Sequence, residues 1–211
     1  MSTSKTNKLI KEACVETKEQ IDNAILHKAD QIELCSQLAL GGFTPDDNLV
    51  QYALDHQLKV MMMVRNRPDY TSSWWNTMKL KKIIKRYAKT NVAGFVFGFL
   101  KKNMIDEKTI KQLLKVTNHK ETIFHMAFDE LDNPKQGIDT LVRLGITRIL
   151  TKGGKQGPAT NNLVQLKALA TYADQRIQLI VGGSVTDHNY QEIAKATGIK
   201  CYHGRKLALG T

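Results

Sequence analysis

Two copies of one small pattern, Glu12-Ala13-Cys14 and Glu33-Leu34-Cys35, lie 21 residues apart near the start of the 211-residue chain. Each ends a short apolar segment that reads as a β-strand, and side chains two apart on a strand share a face. Each glutamate therefore points the same way as its cysteine. On adjacent parallel strands in similar register, two thiols and two carboxylates converge. Soft thiolates select Cu(I), and two of them close together form a low-coordinate copper site. A plainer reading also exists, because a free cysteine near the end of a buried strand commonly serves as a small hydrophobe. The carboxylates have no such plain reading, since a buried glutamate is costly unless it is paired or functional. Arg65 and Arg67, in VRNR after the third apolar segment, are the candidate partners of Glu12 and Glu33.

Further chemistry sits at the ends of later segments. ETIFHMAFDE places His125 at a strand edge and Asp129 in the loop after it, a pair suited to acid–base work, with the imidazole titrating nearest neutrality. His203 closes the last apolar segment. Three glycine turns follow the sixth, seventh and eighth segments: Thr151-Lys152-Gly153-Gly154, Gly182-Gly183-Ser184 and His203-Gly204-Arg205. Glycine lets backbone N–H groups approach a ligand closely, so Gly153, Gly154, Gly182, Gly183 and Gly204, with Arg67, read as a cradle for an anion. The competing reading is that these glycines only make tight turns.

The elements that would carry these residues alternate. Strand-like segments fall at 9–14, 31–35, 58–64, 94–97, 122–124, 148–151, 178–181 and 199–203, and most are followed by an amphipathic stretch. Thr17, Asp46, Asn133-Pro134 and Asp187 open helical patterns, and Gly145 and Gly198 close two of them. Eight β–α units of about 26 residues predict a compact (β/α)8 TIM-like barrel, a single domain over residues 1–211, with the last outer helix missing or truncated. An open doubly wound sheet is less suitable, because the first turn lacks the glycine-rich fingerprint of that fold. Val60, Met62, Phe95, Phe97, Ile149 and Ile180 are the expected inward-facing core. In a barrel the strand ends share one face, and strand eight lies beside strand one, which brings His203 to Glu12.

Composition narrows the function classes. With 42% hydrophobic and 24% charged residues the chain is an ordinary globular protein. No stretch approaches a membrane span, and the N-terminus shows no leader-like apolar run. Three widely spaced cysteines argue against a disulfide framework or a zinc ribbon and favour a reducing, cytoplasmic setting. The net charge of +11 invites a nucleic-acid reading. Yet the basic excess between Lys79 and Lys120 is interleaved with Leu80, Ile83, Ile84 and Tyr87 at helical spacing, as on a solvated helix face, and no nucleic-acid-binding signature accompanies it.

Taken in order, EACVET, ADQIELCSQLALGGFTPD, MVRNR, VFGFL, TIFHMAFDE, LTKGG, VGGSV and YHG resemble the CutC copper-homeostasis family across nearly the whole chain. The resemblance implies a TIM-like barrel, a cytoplasmic location, copper handling, and Cys14 and Cys35 as Cu(I) ligands. Cys201 matches no ligand motif. The chain departs from the family pattern at Asn66 (usually proline), Met126 (arginine), Lys152 (serine) and Ser184 (glycine). A cysteine pair explains copper but leaves Arg65, Arg67, His125, Asp129 and the glycine turns without a task. Two readings therefore stand. One is a Cu(I)-binding protein; the other is a barrel enzyme on an acidic or phosphorylated small molecule, with Glu12, Glu33, His125, Asp129 or His203 moving protons and Arg65 and Arg67 clamping the anion. A homo-oligomer is compatible with both.

Overall fold

A computed structural model describes residues 8–210; the N-terminal residues that bear on a leader segment lie outside the described residues. Eight parallel strands close into a barrel. They are β1 (Ile10–Val15), β2 (Gln31–Leu34), β3 (Val60–Met63), β4 (Gly94–Phe97), β5 (Glu121–Phe124), β6 (Arg148–Thr151), β7 (Gln178–Val181) and β8 (Cys201–Gly204). Closure comes from β1, which pairs with β8 on one side and β2 on the other. Seven α-helices fill the connections among the described residues: α1 (Lys18–Leu26), α2 (Asp47–Asp55), α3 (Trp74–Tyr87), α4 (Glu107–Leu114), α5 (Pro134–Leu144), α6 (Leu163–Ala173) and α7 (Tyr190–Thr197). None follows β8 among them, as the short tail predicts.

The helix starts obey local capping chemistry. Thr17, Asp46 and Asn133 each accept a backbone N–H from three residues ahead, satisfying donors that a helix N-terminus leaves free. Asp187 differs from its expected role. Helix α7 begins only at Tyr190, and the Asp187 carboxylate instead accepts the Ala208 N–H at 2.8 Å, tying the tail to the barrel. A small antiparallel hairpin, Leu100–Lys101 with Met104–Ile105, stands between β4 and α4 where no strand pair was expected.

The core has two shells. Ala13, Ile32, Val60, Met62, Phe95, Phe97, Phe124, Ile149 and Tyr202 pack with helix residues such as Ile21, Leu80 and Ile84 between sheet and helices. Cys14, Cys35, Met61, Met63, Val96, Ile123, Leu150, Ile180 and Cys201 form a second cluster inside the barrel. An Arg148 N–H reaches Met61 Sδ at 3.5 Å although β6 and β3 are not neighbours, so this contact crosses the lumen. The expected inward set is thereby corrected. Ile180 faces the lumen, whereas Val60, Met62, Phe95, Phe97 and Ile149 face the helices. Strands buried on both sides read as continuous apolar runs, and such runs carry no parity signal.

The basic residues of α3 are where a solvated face requires them. Lys79, Lys82, Lys85 and Arg86 are exposed, while Leu80 and Ile84 are buried on the opposite side.

Candidate metal centre and the cavity above it

The sheet register decides which side chains meet. Glu12 stands level with His203 of β8 and with Gln31 of β2, and Cys14 stands level with Glu33. The two Glu-x-Cys copies are thus staggered by two residues rather than matched. Strands of a closed barrel must tilt and stagger, so equal motifs need not sit at equal heights. Cys35 lies just beyond its strand, its N–H bonded to the Val15 carbonyl at 2.9 Å. The stagger draws Cys14, Glu33 and His203 together, with a ligand-competent atom of each within 4.8 Å of the others.

The cluster is nearly dry, and every charge in it needs a partner. Glu12 is 0% exposed. Its carboxylate accepts hydrogen bonds from Gln31 Nε2 and from His203 Nδ1, the latter at 2.8 Å. Burial alone would push Glu12 up, but the His203 hydrogen bond and charge, with Arg148 and Gln31, carry it below its ordinary value. Burial likewise opposes charge on His203, yet Glu33, Cys14 and Glu12 outweigh it and hold the imidazole protonated. The Cys14 thiol is brought down to about 5, chiefly by the Cys35 hydrogen bond and against burial, with His203 assisting. Cys35 moves the opposite way, well above the usual thiol value, because the same hydrogen bond, burial and the neighbouring anion all favour its protonated form. Burial also raises Glu33 to about 8, with His203 pulling the other way and the Cys14 and Glu12 charges adding to the rise. Its Oε1 accepts the Cys35 thiol proton at 3.3 Å, while Oε2 is buried without a hydrogen-bond partner.

At neutral pH the cluster therefore holds two anions, Glu12 and Cys14, and one cation, His203. Cys35 and Glu33 remain protonated. A thiolate and a thiol side by side, inside an apolar ring that includes Met61, Met63 and Leu150, suit a soft monovalent metal far better than a hard oxygen-loving one.

Below this cluster the lumen carries a polar pair that the sequence reading missed. Arg148, 4% exposed, is ion-paired with Glu121. Gln31 was also missed. Its signal was available, since Gln31, Glu33 and Cys35 alternate along one strand face and a buried glutamate calls for a neighbouring donor.

Above the cluster a cavity of about 680 Å³ opens at the C-terminal ends of the strands. Arg65, His125, Gly183 and Gly204 line it, together with Cys14, Glu33 and His203. Arg65 does not pair with Glu12 or Glu33, contrary to expectation. Its guanidinium donates to the carbonyls of Arg67, Gly41 and Pro68 and lies over the rings of Phe43 and Tyr70. Arg67 is exposed and pairs with Asp69 at 3.0 Å, so it too leaves the glutamates alone. The reason is reach: loop carbonyls next to Arg65 satisfy it before it gets to the lumen, and His203 already occupies Glu12.

Asp129 is buried beside this face but acts on the loop. Its two oxygens accept from the Thr151 hydroxyl and the Lys152 N–H, and burial raises it to about 6. Gly153, Gly154 and Gly182 belong to the adjoining turns and do not line the cavity. Tyr70 and Lys206, which the sequence does not single out, do, as does Arg205 of the His203-Gly204-Arg205 turn.

His125 has an unambiguous tautomer. Its Nδ1 accepts the Ala127 N–H at 3.2 Å, which puts the ring proton on Nε2. Burial and the nearby Arg65 charge bring the group down to about 3, so it is neutral. That Nε2–H is buried and has no partner. Leaving such a donor unmet costs about 1–3 kcal/mol. Gly98 makes room for the ring, since a Cβ there would lie 2.7 Å from the imidazole.

A closed (β/α)8 barrel with a buried thiol–carboxylate–imidazole cluster at its strand ends defines the class of protein. The CutC family matches residues 9–208, and the chain belongs to that family. A CutC family protein of Streptococcus pyogenes is 36% identical over 94% of this chain and 100% of its own length. A human protein named as a copper homeostasis protein cutC homolog is 34% identical over 93% of this chain and 73% of its own. The crystal structure of a CutC protein from Streptococcus agalactiae superposes with a TM-score of 0.88 at 36% identity, covering 94% of this chain and 99% of that one.

Proposed function

We propose that the chain is a cytoplasmic copper-homeostasis protein that binds one Cu(I) between the sulfurs of Cys14 and Cys35. The observation that supports this most is the buried cluster itself, in which Cys14, Glu33 and His203 converge and the Cys35 thiol donates to Glu33 Oε1 at 3.3 Å. The two soft sulfur donors favour the monovalent ion. A metal-bound thiol must be deprotonated, so Cu(I) takes the place of the Cys35 proton and the buried net charge does not change. His203 and Glu12 neutralise one another beside the ion, and Glu33 Oε1, relieved of the Cys35 proton, is free to reorient. All three cysteines are free, as a thiol-based site in a reducing compartment requires. The human relative's name, a copper homeostasis protein homolog, points the same way.

Competition titration against a Cu(I) chelator under reducing conditions, in weakly buffered solution with a pH indicator, tests the reading. One Cu(I) per chain and release of about one proton per ion are expected. Equal competition by Zn(II), or binding with no proton released, contradicts the site.

A further inference from the structure

A two-sulfur copper site needs only the bottom of this cavity. The remaining walls are built for something larger, and at about 680 Å³ the space falls in the range of small-molecule pockets. The wall chemistry is asymmetric. On the β7–β8 side stand Gly183, Ser184, Gly204, Arg205 and Lys206. That side of a (β/α)8 barrel is where phosphate groups are commonly held. Gly204 has no alternative there, because a Cβ would lie 2.2 Å from the Val185 carbonyl oxygen. The tight approach keeps the β7 and β8 turns together and sets Arg205 at the rim, where one of its N–H groups bonds the Leu38 carbonyl.

On the other side stands His125, whose buried Nε2–H has no partner. Because the ring is neutral, it recognises a neutral oxygen rather than supplying charge. Next to it Arg65, 5% exposed, is held rigidly by three carbonyls and two aromatic rings. Its guanidinium has five N–H donors, of which three are committed, leaving others for an incoming oxygen.

We propose that this cavity binds a small organic phosphate, its phosphate at the Gly183–Ser184 and Gly204–Lys206 turns and a carbonyl or hydroxyl oxygen on the His125 Nε2–H beside Arg65. The ligand's far end then lies over Cys14, Glu33 and His203, so copper and metabolite occupy adjoining parts of one cavity. This goes beyond copper binding and does not depend on it.

Thermal-shift and calorimetric titrations with inorganic phosphate, glycerol 3-phosphate and glycerol test the assignment on the full chain. Saturable binding is expected for the two anions and none for glycerol, with glycerol 3-phosphate tighter than phosphate. Arg205→Met, a rim substitution that leaves the core intact, is expected to weaken both anions about tenfold. His125→Phe is expected to remove the advantage of glycerol 3-phosphate while leaving inorganic phosphate bound. Cys35→Ser, which removes a copper ligand that does not line the cavity, weakens Cu(I) binding but leaves anion binding in place and so separates the two proposals. Absence of saturable phosphate binding, or unchanged affinity in both Arg205→Met and His125→Phe, overturns the assignment.

Discussion

Replacing Cys14 and Cys35 together by serine is expected to abolish high-affinity Cu(I) binding while leaving the barrel folded. A hydroxyl is a hard donor and stays protonated at neutral pH, so neither position can offer the soft anion that holds Cu(I). The loss should exceed the roughly 10–100-fold seen when a residue that merely supports a ligand is removed. Each single variant keeps one sulfur and should fall between the wild type and the double variant. Cys201→Ser provides the internal comparison. Cys201 is buried in the same lumen, but burial raises its thiol to about 12 and it stands near Arg148, away from the strand ends. It should keep full affinity. A metal measurement on the wild type and the four variants decides the matter: equal losses at Cys201 and Cys14 would mean that general damage to the lumen, and not a two-sulfur site, sets the affinity.

The second large effect is on stability. His203→Leu is expected to destabilise the fold by about 3–5 kcal/mol at neutral pH, because it strands the fully buried Glu12 carboxylate with Gln31 as its remaining hydrogen-bond partner. Adding Glu12→Gln removes the stranded charge, so the double variant should be more stable than His203→Leu alone. The pH profile carries a further sign. In the wild type Glu12 lies below its ordinary value, so its contribution is present at neutral pH and is lost as pH falls through the carboxylate range. Without His203 the carboxyl is pushed up instead, and stability from this group rises as pH falls. Urea denaturation at pH 7 and pH 5 reads the His203→Leu effects, and measurement at pH 3 to 4 reads the loss of the wild-type carboxylate. A His203→Leu protein as stable as the wild type at pH 7 would show that the ion pair does not hold the lumen.

The alternation of elements was legible because each unit carries its own punctuation: Thr17, Asp46 and Asn133 cap helices in the structure as their side chains predict. The facing of strands was not legible from VMMM or GFVF, where every residue is apolar. It was encoded elsewhere. His125 and Arg65 end their strands on the lumen side, and counting back by two gives Ile123, Met63 and Met61, which do face inward. Large aromatics such as Phe95 and Phe97 then go to the helix layer. The proximity of His203 to Glu12 followed from barrel closure, since strand eight must meet strand one. The expected arginine partners of the glutamates did not follow, because register depends on strand tilt, and a two-residue stagger set Gln31 beside Glu12 instead. The loop carbonyls that absorb Arg65 belong to backbone geometry, which residue types do not reveal. Asp129 was correctly placed at a strand-end loop, but its hydrogen bonds organise that loop and do not reach into the cavity.

The central claim is that two sulfurs from adjacent strands hold one monovalent copper. X-ray absorption at the copper edge, on protein loaded with one equivalent of Cu(I) under reducing conditions, tests it most directly. The account predicts a low-coordinate Cu(I) spectrum with a first shell of two sulfur scatterers that collapses in the Cys14→Ser, Cys35→Ser protein. A first shell made only of nitrogen and oxygen, or a two-sulfur shell that survives the double substitution, would contradict it.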